Sequence, residues 1–505
     1  MPNALALLML VIWPGVTLYI FRRLPVERAL IWATLLAYMF LPPYPAGFDF
    51  PLLPPLSKES IPVLSIAAVM VFFMKTRLEL LPKSGVAKVL LLTFILSPVA
   101  TVLTNGEPLI FAETSIRGLY LLDAVALVVI QSFLVVGFLL ARQFLQTEAA
   151  HRDLLIALTI GGLIYSLPML VEVRLSPQLN LWIYGYYPSA FEQTIRAGGF
   201  RPVVFMSHGI WVAFFGMISA VSALSIWRNN RQGAAGRFLP AACYLFVVTV
   251  LCKTWSPLIY ATLLVPAILW LSLRAQIRVA LVLALLAVFY PLMKGAEIVP
   301  NQAIISKVAE INPERANSLQ FRLENEERLL TRANEKPVFG WGTWGRNQVR
   351  DPYDGQILTI TDGLWTITIG MFGWVGFMAQ FGLLMVPILL VMYEVFALDH
   401  SLIARHDRVM PLQIPAPKMN TQSSTIVQPS VYAGVLALIL AANMVDLLPN
   451  ATLTPLTWII AGALLGHAEM LALRRREQTK EAMIVPVMEK PKQGTKSDDT
   501  PRTVF

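Results

Sequence analysis

Residues 119–141 read LYLLDAVALVVIQSFLVVGFLLA, with one charged side chain, Asp123, near the start. A bilayer core about 30 Å thick is crossed by about 20 apolar residues in a helix, so this stretch predicts a membrane span. Stretches of the same kind predict further spans, and the pattern as a whole predicts an all-α, polytopic membrane protein of about 12–14 transmembrane helices. These further stretches are residues 3–21, 28–43, 61–74, 86–104, 153–171, 203–226, 239–252, 254–273, 277–293, 364–396, 431–449 and 453–473.

The composition supports the same class. Of 505 residues, 56% are hydrophobic and 14% charged, and the mean hydropathy is +0.62. Soluble domains carry roughly a quarter charged residues, so a soluble globular enzyme is excluded. The net charge of +9 does not indicate a nucleic-acid partner, because the cations lie in the connections between apolar stretches.

The distribution of cations predicts the orientation. One set of alternate short connections holds seventeen Lys and Arg, and the opposite set holds six. By the positive-inside rule the first set is cytoplasmic. The sequence therefore predicts a transmembrane domain over residues 1–473, a large periplasmic loop over residues 294–362 within it, and a cytoplasmic, disordered tail over residues 474–505.

The large loop is expected to be folded. It holds nine Lys or Arg and ten Asp or Glu, so its net charge is close to zero. Asn312 followed by Pro313 is typical of a helix N-cap and first turn. The following residues predict a helix to about Asn334, which Pro337 ends.

Several ionisable residues fall at the predicted outer boundary of the membrane. Arg196 and Arg201 bracket a Gly-Gly-Phe sequence before a span, and Lys253 lies at a tight turn between two spans. Ionisable groups at such depth are costly and are candidates for function. A ring of cations under a large loop suits a lipid-linked anion such as a polyprenyl pyrophosphate, since guanidinium groups bind phosphate oxygens in pairs. The alternative is snorkelling and pairing between helices.

Residues 337–346, PVFGWGTWGR, lack the Lys-Ser/Thr ending of a phosphate-binding loop and follow no predicted strand. A turn packed at the membrane interface is the structural interpretation, and Trp341 and Trp344 are carbohydrate-contact candidates. His208 is expected to be a packed histidine rather than a base. The sequence has no Cys/His metal spacing, and neither a metal nor a cofactor is predicted.

Three elements resemble the O-antigen ligase and O-antigen polymerase superfamily of bacterial polysaccharide assembly. Residues 196–202, RAGGFRP, resemble its Arg, Gly-x-Phe and Pro-Asn element, and Cys252-Lys253-Thr254 resembles its Ser-Arg-Gly/Thr element. The third is Arg322 followed by PVFGWG at 337–342 and by Asp362-Gly363. The order and spacing match over about residues 190–400. Asp362-Gly363 stands where ligases have His-Asn, which favours a polymerase.

The resemblance implies a metal-independent membrane glycosyltransferase with a GT-C-like fold in the bacterial inner membrane. It would transfer a polyprenyl-pyrophosphate-linked glycan on the periplasmic side, in O-antigen or exopolysaccharide synthesis. Arg196, Arg322 and Lys253, with Arg201, would stabilise the departing pyrophosphate, and Asp362 would be the base. Asp362 as a helix N-cap is the structural alternative.

Two rival functions stay open at this point. One is ligase-type transfer to a lipid or protein acceptor. The other, from a different class, is a transporter or flippase of lipid-linked sugars, which predicts broken helices in repeated halves. The expected partners are the lipid-linked glycan, membrane lipid and other polysaccharide-assembly proteins, with no nucleic acid.

Overall fold

The structure is a computed structural model that describes residues 1–50, 54–196, 198–230, 233–409 and 428–484. Helices dominate this part of the chain. They are α1 (Ala4–Arg23), α2 (Val26–Phe40), α3 (Ile61–Ala68), α4 (Gly85–Leu103), α5 (Leu121–Phe144), α6 (Glu148–Leu175), α7 (Leu179–Tyr184), α8 (Gly209–Asn229), α9 (Phe238–Leu251), α10 (Trp255–Trp270), α11 (Leu273–Gly295), α12 (Asn301–Ile311), α13 (Pro313–Asn334), α14 (Leu364–Val409), α15 (Ala433–Asp446) and α16 (Pro455–Ile484).

Within the described ranges, the strands form short antiparallel hairpins in the connections. The pairs are β1 (Gly47–Phe48) with β2 (Leu56–Ser57), β3 (Leu109–Ile110) with β4 (Ser115–Ile116), and β5 (Ile195–Arg196) with β6 (Gly199–Phe200). Val69–Phe73 forms a π-helical continuation of α3, and 3₁₀ turns occupy Phe191–Thr194 and Gly233–Arg237.

Among the described residues, eight helices are long and apolar enough to cross a membrane: α1, α4, α5, α6, α8, α11, α14 and α16. The other predicted spans coincide with shorter helices, namely α2, α3 with its π-helical turn, α9, α10 and α15. An apolar helix satisfies its own backbone hydrogen bonds, which is what a segment in hydrocarbon requires. The fold is therefore all-α and polytopic, as the sequence predicted.

Close packing of α16 against α5 shows how the spans associate. A Cβ atom built on Gly462 would lie 2.1 Å from the carbonyl oxygen of Phe138, and one on Gly466 would lie 2.1 Å from that of Arg142. The two glycines stand four residues apart, as in the small-residue motifs that let membrane helices approach closely. Both positions therefore require glycine.

The long helix α14 is broken near its start, and the large loop docks onto the break. Gly373 has φ 67° and ψ −171°, values outside the helical range. Trp341 N donates to Gly370 O at 2.8 Å, and Trp374 N donates to Pro337 O at 2.8 Å. The loop thereby satisfies backbone groups that the break releases, a condition for irregular backbone inside a membrane protein. The length of residues 364–396 allows either a bent helix or two half-spans, and the structure has one long helix broken at Gly373.

Helix boundaries in and after the large loop differ in part from the predicted ones. The segment between α11 and α14 covers residues 296–363, close to the predicted 294–362, and α13 confirms the helix predicted there. Helix α12 was not predicted. The predicted start of a disordered tail at residue 474 is wrong, because α16 continues to Ile484 through a run of good helix formers. Residues 485–505 lie outside the described residues.

Candidate functional site

A short hairpin carries the first two cations of the site. Arg196 of β5 pairs with Gly199 of β6, and Gly198 has a φ of +68°, which glycine adopts without strain. Arg201 N donates to Thr194 O at 2.7 Å, which continues the pairing by one step. The hairpin thereby fixes the backbone on which both arginines stand.

The backbone after the hairpin is held by buried polar side chains. Glu172, fully buried at the end of α6, accepts hydrogen bonds from Val203 N and Val204 N, both at 2.7 Å. The buried Lys58 ammonium donates to Phe205 O at 2.6 Å. Buried charged groups are costly unless they are hydrogen-bonded, so these contacts fix the segment between the hairpin and α8 in one conformation.

Two glycines make room for two of the cations. A Cβ atom on Gly199 would lie 2.1 Å from Lys253 Nζ, and one on Gly209 would lie 2.3 Å from Arg201 Cδ. The Lys253 side chain therefore lies against the hairpin, and that of Arg201 lies across the start of α8. Lys253 itself has a φ of +51° in the turn between α9 and α10.

Arg322 of α13 completes the group, and we call Arg196, Arg201, Lys253 and Arg322 the cation cluster. Burial, followed by repulsion from Arg196 and Arg322, lowers the pKa of Arg201 to about 10. Segments more than a hundred residues apart in sequence thus place like charges near each other. Arg201 Nε is buried and has no hydrogen-bond partner in the described part of the chain.

His208 lies beside the cation cluster as a neutral group. Its Nδ1 accepts from Ile210 N at 3.2 Å and so caps α8, and its Nε2 lies 3.1 Å from Gln193 Oε1. This bonding assigns the proton to Nε2. Burial, together with Arg201, Arg196 and Arg322, lowers the pKa of His208 to about 4. His208 was expected to be a packed histidine, and in the structure its side chain also caps the start of α8.

Asp362 contacts the cation cluster through one ion pair. Its Oδ2 lies 3.5 Å from Arg322 Nε, and both side chains are about half exposed. The segment is tied to α13 because Ile360 N donates to Asn325 Oδ1 at 3.1 Å. Within the described residues Asp362 has no other polar contact, so the N-cap alternative is not observed. An exposed pair contributes about 0–1 kcal/mol, which is too little to explain the arrangement by stability.

A cavity of about 310 Å³ opens beside this ion pair, between α13 and the ends of α10, α11 and α15. We call it the loop cavity. Glu326 faces it one turn after Arg322, and Tyr290 OH donates to Glu326 Oε2 at 2.9 Å. Arg322 and Glu326 stand at i,i+4 spacing, and the Glu326 side chain is 15% exposed, whereas Glu324 and Glu327 of the same helix are exposed. The loop cavity is lined by Tyr260, Tyr290, Leu319, Phe321, Arg322, Leu323, Asn325, Glu326, Leu329, Ile360, Asp362, Thr366, Val445, Leu448 and Pro449.

Trp341 and Trp344 belong to a different neighbourhood. Trp341 is 7% exposed, its Nε1 donates to Arg332 O at 2.7 Å, and the Arg332 guanidinium lies 3.4 Å from its ring centroid. The Arg332 guanidinium therefore covers one face of the Trp341 ring, which fits the interpretation of residues 337–346 as a packed turn. Trp344 is exposed, and the Arg117 guanidinium carbon lies 5.0 Å from the centroid of its ring. Among the described residues no contact joins either tryptophan to the cation cluster.

No protein family and no curated protein matches the chain. The chemistry of the site is therefore inferred from its own charges. Like charges near each other raise the free energy of the folded state unless an anion is bound between them. Grouped guanidinium and ammonium groups with an unused buried donor suit a multiply charged anion such as a diphosphate.

Proposed function

We propose that this chain is a membrane glycosyltransferase that uses a polyprenyl-pyrophosphate-linked oligosaccharide as donor. In this proposal it polymerises repeats in O-antigen or exopolysaccharide synthesis, and ligase-type transfer to a lipid or protein acceptor is the alternative reaction. A GT-C-like fold, an inner-membrane location and a periplasmic active site are parts of the same proposal.

The cation cluster is the observation that carries the proposal. Arg196 and Arg322 lie close enough to contribute to the lowered pKa of Arg201 and of His208, and Lys253 lies against the same hairpin. A diphosphate offers enough oxygen acceptors to engage several of these donors at once. Arg201 and Lys253 are partly buried, which strengthens their interactions because the surrounding dielectric is lower than that of water.

The position of the cluster at helix ends suits a lipid-linked donor. Arg201 lies across the first residue of α8, and Lys253 lies in the turn between α9 and α10. A donor bound here would keep its isoprenoid chain among apolar helix surfaces and its diphosphate at the boundary. The sugar would then face the large loop.

The transfer itself needs charge stabilisation and a proton acceptor. The acceptor hydroxyl attacks the anomeric carbon, the bond from that carbon to the phosphate oxygen breaks, and the electron pair leaves with the pyrophosphate. Arg196, Arg322 and Lys253, with Arg201 beside them, would stabilise that developing charge. A carboxylate near the cluster would take the hydroxyl proton, the role for which the sequence suggests Asp362.

The decisive experiment is a transfer reaction with the purified protein in lipid nanodiscs and a defined polyprenyl-pyrophosphate-linked repeat. We expect a ladder of products, and a loss of about 10²- to 10³-fold or more in Arg322→Ala and Arg196→Ala. Arg174→Ala, which removes an exposed arginine at the end of α6, is the matched control and should behave as wild type.

The outcomes separate the parts of the proposal. A normal ladder from both cluster variants would show that the pyrophosphate is not bound there. Single additions to an unrelated acceptor, with no ladder, would indicate the ligase-type reaction. No transfer by the wild-type protein with any acceptor would contradict the proposed function itself.

A further inference from the structure

The loop cavity holds a second carboxylate beside the cation cluster. Glu326 stands one helical turn after Arg322 on the same face of α13, and both line the cavity with Asp362. The Tyr290 hydroxyl of α11 donates to Glu326 Oε2 at 2.9 Å. Lys294 Nζ lies 3.7 Å from the same oxygen. Glu326 is thus fixed in orientation by one good hydrogen bond, with a cation nearby.

Burial gives Glu326 a proton affinity above that of an ordinary glutamate. Desolvation raises its pKa, and Tyr290, Lys294 and Arg322 offset that increase only in part. The ordinary value is about 4.3. The charged or titratable groups that face it from neighbouring elements are Tyr290 and Lys294 of α11, Arg322 of α13, Asp362 before α14, and Tyr260 of α10 with its partner Asp446.

Asp362 differs from Glu326 both in its burial and in its hydrogen bonding. It is about half exposed, and its one polar contact in the described part of the chain is Arg322. Its carboxylate lies 3.5 Å from Arg322 Nε, so the attraction favours those rotamers of Arg322 that keep the guanidinium beside Asp362. The two carboxylates of the cavity are therefore suited to different tasks.

We infer that Glu326 is the group that accepts the proton of the acceptor hydroxyl, and that Asp362 is a positioning residue for Arg322. This inference rests on the proposed transfer reaction. The hydroxyl proton moves to a Glu326 carboxylate oxygen as the new bond from oxygen to the anomeric carbon forms. The bond to the phosphate oxygen breaks, its electrons leave with the pyrophosphate, and Glu326 later releases the proton to water.

The test compares four variants in the nanodisc transfer reaction across a pH series. They are Glu326→Gln, which keeps an acceptor for Tyr290, Glu326→Asp, Asp362→Asn, and Glu327→Gln as the matched control, whose side chain lines a different cavity beside α13. We expect Glu326→Gln to lower kcat by about 10²- to 10⁴-fold, with binding of inorganic pyrophosphate kept. At acidic pH the transfer rate should rise with increasing pH in the wild-type protein, in Glu327→Gln and in Asp362→Asn, which gives the pH profile an acid limb. Glu326→Asp should recover part of the rate that Glu326→Gln loses.

Each result decides a different point. Wild-type rates and an unchanged acid limb in Glu326→Gln would overturn the inference while leaving the proposed transfer standing. Loss of pyrophosphate binding in Glu326→Gln would also overturn it, since the residue would then act on the donor site. A wild-type protein without transfer activity would overturn both the inference and the proposed function.

Discussion

At the scale of single residues, the cation cluster depends on small neighbours as much as on charge. Gly199 leaves the space that Lys253 Nζ occupies, and Gly209 leaves the space for the Arg201 side chain. The buried carboxylate of Glu172 holds the backbone that follows. Arginines and a lysine supply the charge, but these contacts decide where the charge lies.

Gly199→Ala tests this dependence without removing a charge. The new methyl group would meet Lys253 Nζ at 2.1 Å, so the ammonium must move away from the hairpin. We expect pyrophosphate affinity to fall by about tenfold, the effect of losing about 1.4 kcal/mol of interaction. Titration calorimetry measures the change. Gly236→Ala, where a Cβ atom meets nothing within 4 Å, is the control, and equal affinity in both variants would contradict the geometry.

His208 gives a prediction for pH dependence. Its pKa is about 4 in the folded protein, against an ordinary value of 6.5, so between these values the unfolded chain binds a proton that the folded chain does not. Stability should therefore fall as pH falls through this window. His208→Asn keeps a capping side chain and does not titrate. Thermal unfolding at pH 7.5 and pH 5 should show a smaller loss in His208→Asn than in wild type, and equal losses would contradict the assignment.

The sequence identified some of these residues and not their roles. Arg196, Arg201 and Lys253 were predicted as candidates because charged residues near membrane spans are costly. Arg322 and Asp362 were predicted from the family resemblance. Their proximity depends on tertiary packing, which the resemblance implied but no local pattern specifies. Glu326 was not recognised, since burial distinguishes it from neighbouring glutamates and burial of a loop helix is not visible in its sequence.

At the scale of elements, the position of α13 depends on the turn that follows it. Gly340 has a φ of +70°, and a Cβ atom there would lie 2.6 Å from Gly373 N. The two glycines thus meet at the break in α14, where the loop and the helix exchange backbone hydrogen bonds. Residues 337–342 therefore have a structural role: they join the end of α13, the helix that carries Arg322, to the break in α14.

Gly340→Ala should therefore act on both stability and the site. An alanine in this conformation costs about 1 kcal/mol or more, and its methyl group would meet backbone that cannot rotate away. We expect a lower Tm together with weaker pyrophosphate binding, because α13 is displaced. Gly137→Ala, in a helix with open space around the Cβ position, is the control. Loss of stability without any change in binding would show that the turn does not position Arg322.

Elements with strong local signals were predicted well. The Asn312-Pro313 pair marked the start of α13, and apolar runs marked the long spans. Helix α12 and the extension of α16 to Ile484 were missed because their residues are mixed in polarity and do not form an apolar run of the kind that marked the spans. The sequence indicated that α14 could bend, while the position of the break follows from Gly373.

At the scale of the whole molecule, the connections that carry the cation cluster all fall on one predicted side. The hairpin follows α6, Lys253 joins α9 to α10, and Arg322 lies between α11 and α14. Alternate crossing of the predicted spans brings these connections to the face opposite the cation-rich loops. The orientation and the proposed site therefore depend on the same topology.

Cysteine labelling tests that topology. In a background where Cys243 and Cys252 are replaced by serine, Asn317→Cys should react in intact cells with a thiol reagent that does not cross membranes. Asn317 is exposed on α13, and Asn230, exposed between α8 and α9, is the control on the predicted cytoplasmic side. Asn230→Cys should react only after the membrane is permeabilised. The reverse pattern would place the cation cluster in the cytoplasm.

The most direct test of the central claim is the binding of a short-chain polyprenyl diphosphate to the purified protein, compared with the matching monophosphate and alcohol. The account predicts that the diphosphate binds most tightly, and that Arg201→Ala and Arg322→Ala each remove most of this preference while Arg174→Ala does not. Equal binding of all three lipids, or an undiminished diphosphate preference in both cluster variants, would contradict it.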